Sequence, residues 1–95
     1  MKNIIPLFVI FLLTLTVVAD AIKCFCLTNE GGNTPTGLNR LACQRAGHDF
    51  HADGCYVASD NGCAVPPRGR EIDELIGACK GLGDQWTNGH LNCRC

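Results

Sequence analysis

The chain has 95 residues, eight of them cysteine, and a formal net charge of −1 at pH 7. That length excludes a multidomain enzyme, since compact domains seldom fall below about 50 residues. The near-neutral balance argues against a basic nucleic-acid-binding face and against a cationic membrane-disrupting helix.

The N-terminus has the three parts of a secretory signal in order. Lys2 gives a positive start, residues 4–18 are almost wholly apolar, and Ala19-Asp20-Ala21 is an A-x-A cleavage motif. The apolar run is too short for a spanning helix, which needs ~20 such residues. Cleavage is expected after Ala21, with Ala19 as the alternative cut. Removing the first 21 of 95 residues leaves 74, a single domain over residues 22–95. Taking Lys2 and Asp20 from 8 basic and 9 acidic residues leaves 7 and 8, so the balance is unchanged. The product is expected to be secreted, extracellular and monomeric, with no stable membrane insertion after signal removal.

Behind a signal peptide, an even set of cysteines reads as disulfides, because the secretory route is oxidising and domains below ~80 residues need covalent support. Four bridges are expected among Cys24, Cys26, Cys43, Cys55, Cys63, Cys79, Cys93 and Cys95, with the pairing left open. The two C-x-C pairs put both sulfurs of each pair on one face of an extended strand, and each end of the domain is expected to be tied to its body. The spacing Cys43-x4-His48-x2-His51-x3-Cys55 has donors suited to tetrahedral zinc, but oxidation of both cysteines is the preferred reading, and neither metal nor cofactor is expected.

Taken in chain order, residues 22–28 (IKCFCLT) alternate as a strand does. Residues 29–35 (NEGGNTP) are loop in composition. Thr36 is placed to cap a helix over 36–46, with Leu38, Leu41, Ala42 and Arg45 at helical spacing and Gly47 at its stop. Asp53-Gly54 and Asn61-Gly62 flank CYVASD and favour tight turns, which predicts a three-stranded meander. With two-residue loops Phe50 would face Val57 and Asp60 would face Cys63. Cys55 and Cys63 then lie on opposite faces and are not expected to bond each other. Pro66-Pro67 would end that third strand.

Residues 70–80 (REIDELIGACK) are the clearest helix. Ile72, Leu75, Ile76 and Cys79 recur on one face, with Glu71, Asp73 and Glu74 in the first turns. Cys79 on that face should pin the helix to the sheet or to the first helix. A loop around Trp86 then leads to a short terminal strand holding Cys93 and Cys95. The expected class is α+β: a short antiparallel sheet with two helices, stapled by disulfides.

No catalytic residue is expected. Ser59, the one serine, lacks a G-x-S-x-G elbow, and a nucleophilic cysteine would need a free thiol. The acidic groups of 71–74 read as solvated residues that favour the helix dipole. His48, His51 and His90 lack a motif that sets an imidazole against a carboxylate, although two histidines three apart could make binding respond to mild acid. The contact candidates are Trp86, as the sole tryptophan, and the exposed segments 29–35 and 66–69.

The KCFC of 23–26, the NTPTGLNRLAC of 33–43, Gly47 ahead of an aromatic residue, and the GCYV of 54–57 resemble the small secreted cysteine-rich proteins of filamentous fungi, many proposed as effectors in host colonisation. The resemblance covers most of the chain after the signal. It implies an effector that binds a host protein or cell-surface component and promotes virulence, with no catalytic residues to transfer. The alternatives are a secreted toxin or antimicrobial protein, and an inhibitor of a secreted hydrolase.

Overall fold

The structure is a computed structural model that describes residues 20–95. Residues 1–19, which make up most of the expected signal segment, lie outside the described residues. The order of elements is β1 (Asp20–Cys26), α1 (Thr36–Ala46), β2 (Asp49–His51), β3 (Gly54–Ser59), α2 (Arg70–Lys80) and β4 (Leu91–Arg94). The strands form one antiparallel sheet in the order β2-β3-β1-β4. The fold is α+β, with two helices against one face of this sheet.

β1 is the centre of the assembly. Its alternation buries Ile22, Cys24 and Cys26 and turns Lys23 and Phe25 outward. The buried residues meet Cys55 and Val57 of β3, Ala42 and Cys43 of α1, and Ile72, Leu75 and Cys79 of α2. Among the described residues, five of the ten buried apolar side chains are cysteines, so covalent bonds stand where a larger domain would place aliphatic volume. Strand pairing begins at Asp20↔Ser59 and Ala21↔Ala58. The expected cut after Ala21 therefore falls inside β1, whereas a cut after Ala19 leaves the strand whole.

All eight cysteines are bonded, as Cys24–Cys93, Cys26–Cys79, Cys43–Cys55 and Cys63–Cys95. Cys26–Cys79 pins α2 to the sheet through its apolar face. Cys24–Cys93 joins two residues opposed in the β1–β4 ladder, so the two C-x-C ends are bound to each other as well as to the body. Cys55 and Cys63 are not partners, as expected.

The meander is corrected. The β2–β3 loop is Ala52-Asp53, both at positive φ (51° and 65°), as a type I′ turn requires. Phe50 accordingly opposes Cys55 rather than Val57. Gly54 is thereby drawn into the strand, where the Lys23 chain crosses it: a Cβ there would lie 2.5 Å from Lys23 Cγ. Beyond Ser59 the Asn61-Gly62 turn forms, but no third strand follows, because β1 occupies the open side of β3 and Pro66 and Pro67 cannot donate to a ladder. Asn61 organises this loop instead. Its Oδ1 accepts from Arg68 N (3.0 Å), and its Nδ2 donates to Pro66 O (3.1 Å).

Both helices match their expected bounds, but Thr36 does not cap α1. Pro35 stands at the N-cap without a side-chain bond, and Gly47 ends the helix in the left-handed conformation. Two side chains complete the sheet where strands run out. Buried Asn39 of α1 accepts from Cys26 N (2.8 Å) and donates to Cys24 O (3.4 Å), while Glu71 of α2 accepts from Ala58 N (2.8 Å). β4 ends at Arg94, so Cys95 lies one residue beyond the strand expected to hold it.

Candidate functional site

Two loops leave the same end of the sheet. Segment 27–35 folds tightly on itself: Gly31 N donates to Thr28 O (2.9 Å), and Gly32 N to Thr28 Oγ1 (3.1 Å). Gly31 takes φ +90°, a conformation open to glycine. After α2, Gly83 turns the chain at φ +105° and its carbonyl accepts from Trp86 N (2.9 Å). That turn sets the indole outward, 46% exposed.

The loops are fastened to each other. Asn29 Nδ2 donates to Asp84 O, Asn88 N to Leu27 O (3.1 Å) and Leu27 N to His90 O (3.0 Å), with Cys26–Cys79 at their root. Between them runs an open groove of about 320 Å³, lined by Thr28, Asn29, Glu30, Pro35, Gln85 and Trp86. Its walls combine one flat apolar ring and a proline with a hydroxyl, two amides and a carboxylate. Such a surface can stack a ligand ring and exchange several hydrogen bonds with it.

Of the sequence-level contact candidates, the structure unites segment 29–35 with Trp86 and places 66–69 elsewhere. That third segment belongs to loop 60–69, whose tip, Val65, is 87% exposed. Cys63–Cys95 and the Asn61 bonds brace it, and Asp60 N donates to Arg68 O (2.7 Å). Beneath it an apolar notch of about 120 Å³ is lined by Ile22, Val65, Pro67 and Leu91 among others.

The zinc-like set is broken up. Cys43 and Cys55 share a disulfide, His51 stacks on Tyr56 with ring centres 3.9 Å apart, and His48 turns toward α2. There its Nε2 lies 3.1 Å from Glu74 Oε1 and its Nδ1 3.6 Å from Glu71 Oε1, with the side chain 11% exposed. This imidazole–carboxylate cluster was missed from sequence. The available signal was the i, i+3 spacing of Glu71 and Glu74, which puts both on one helix face. Glu71 is thus engaged by the β3 backbone and by His48 rather than simply solvated. His90 sits apart, its N–H donating to Asn88 Oδ1 (2.8 Å). The three histidines therefore form no common centre, and His48 and His51 do not share a surface.

Ser59 is buried, with Oγ 2.9 Å from both Asn61 Oδ1 and Gly62 O, so it fastens the start of loop 60–69. Among the described residues no helix is long and apolar enough to cross a membrane. Comparison with protein-family models, curated proteins and solved structures gives no match; the geometry of the two fastened loops is what bears on function.

Proposed function

We propose that the chain is a secreted, non-enzymatic binding protein of the fungal effector type, which engages a host protein or cell-surface component through the Trp86 groove and so promotes colonisation or modulates host defence. The observation that carries this reading is the exposed Trp86 on loops locked by Asn29–Asp84 and rooted on Cys26–Cys79. A tryptophan held rigidly at the surface contributes large contact area at little ordering cost, which is why the residue is enriched at binding hot spots. Four disulfides fit an oxidising, extracellular setting.

The test is deletion of the coding sequence in the producing organism. Colonisation should fall, return with the native sequence and fail to return with Trp86→Ala, while both proteins are secreted in equal amount. Full rescue by Trp86→Ala would sink the reading.

Loop 60–69 favours a second reading, inhibition of a secreted hydrolase. It presents Val65 on a convex, cross-braced turn, the shape that enters an enzyme cleft without an ordering cost. Inhibition of an elastase-like protease, lost with Val65→Asp, would support it. Inhibition unaffected by that change, or none at all, would remove it.

A further inference from the structure

We infer that the Trp86 groove is a binding site for neutral oligosaccharide. This deepens the binding role proposed above and rests on it. A pyranose ring offers a flat C–H face and a rim of hydroxyls, each of which both donates and accepts a hydrogen bond. The groove is built to that description. The half-exposed indole of Trp86 gives the stacking face, and Pro35 extends the apolar floor.

The rim groups are available. Thr28 Oγ1 accepts from Gly32 N, which leaves its O–H to donate. Asn29 spends one N–H on Asp84 O and keeps its Oδ1 as an acceptor. Glu30 and Gln85 are exposed at the groove and make no hydrogen bond to the described residues; they add a carboxylate acceptor and a second amide with both functions.

Two features separate this from a protein-anchoring pocket and from an anion site. Protein anchors bury in apolar, desolvated pockets, whereas four of these six lining residues are polar at the ligand's rim. The charged residue of the groove is the acidic Glu30, with no Lys, Arg or His in the lining. Uronic, sialylated and sulfated sugars would be repelled, and uncharged hexose or N-acetylhexosamine chains accepted. The loops are locked before any ligand arrives, so binding need not order them.

The chain has one tryptophan, so fluorescence excited selectively at tryptophan, to the exclusion of Tyr56, reports on this groove alone. The secreted protein is titrated with cellohexaose, laminarihexaose and chitohexaose, with a sulfated heparin hexasaccharide as the anionic control, and each titration is repeated by calorimetry. At least one neutral sugar should give a saturable change in Trp86 emission. Trp86→Ala should weaken that binding at least about tenfold by calorimetry, Glu30→Ala and Gln85→Ala should each weaken it about threefold, and the sulfated sugar should not bind.

No saturation with any neutral sugar overturns the assignment, as does binding that Trp86→Ala leaves unchanged or tighter binding of the sulfated sugar. If sugars fail to bind yet colonisation still depends on Trp86, the sugar assignment falls and the binding role stands. If both fail, the groove has no role in either.

Discussion

The two faces of the sheet are held by different means. On the inner face, Ile22, Cys24, Cys26, Cys55 and Val57 are buried under two helices, and three of the four disulfides include one of those cysteines. On the outer face no helix among the described residues covers the strands, and the side chains cover one another: His51 lies flat on Tyr56, and Lys23 crosses Gly54 with its ammonium 5.7 Å from the centre of the Phe25 ring. A chain this short buries one sheet face well and leaves the other to local contacts. The inner face and the ends of its strands should thus be sensitive to change, and the outer face tolerant.

A large effect should come from removing the Cys26–Cys79 bridge, whose partners are 53 residues apart, a loop exceeded in length by that of Cys24–Cys93 alone. Freeing a loop of that length restores chain entropy worth about 4 kcal/mol to the unfolded state. Denaturant melts of the Cys26→Ala, Cys79→Ala double variant would show it, and a loss below about 1 kcal/mol would mean that α2 is held by Ile72 and Leu75 without the staple.

Next is Asn39→Ala, which strands the buried Cys26 N–H that Asn39 satisfies and should cost about 2 kcal/mol. An unchanged melt would show that another acceptor reaches that N–H. Glu71→Ala removes the acceptor for Ala58 N–H at a more exposed edge and should cost about 1 kcal/mol, with Glu71→Gln recovering most of it because the amide oxygen still accepts. Equal loss in both variants would assign the effect to charge near His48 rather than to the hydrogen bond.

The smallest effect belongs to the outer face. Lys23 and Arg94 are opposed in the β1–β4 ladder, an unfavourable like-charge pair. Arg94→Glu should raise stability by a few tenths of a kcal/mol, an effect that salt should erase. A loss of stability as large as that of Asn39→Ala would break the contrast between the faces.

Local signals were enough for the helices. The i, i+3, i+4, i+7 spacing of Ile72, Leu75, Ile76 and Cys79 and the glycine after Ala46 are properties of short segments, and both helices fall where those signals put them. The β1 alternation was equally legible, and with it the placement of Cys24 and Cys26 on one buried face. Turn composition was less reliable. Asp53-Gly54 marked a hairpin, but the loop is Ala52-Asp53 and Gly54 lies in β3 under the side chain of Lys23, a residue 31 positions earlier.

For the groove, the sequence supplied Trp86 and the 29–35 loop as separate exposed candidates. Their union depends on a hydrogen bond between residues 55 apart, Asn29 to Asp84. The Glu71–Glu74 spacing pointed to a shared helix face, yet nothing local placed His48 against it.

By itself the sequence determined two helices, a central alternating strand, and enough cysteine to staple them, since each is written in spacing over a dozen residues or fewer. Only the tertiary structure decided which sulfurs meet, that β1 rather than a third meander strand lies beside β3, and that Gln85 and Trp86 share a groove with Thr28, Asn29 and Glu30. Those outcomes depend on contacts between distant segments, where burial, ladder hydrogen bonds and loop closure compete over the whole chain and no local pattern records the winner.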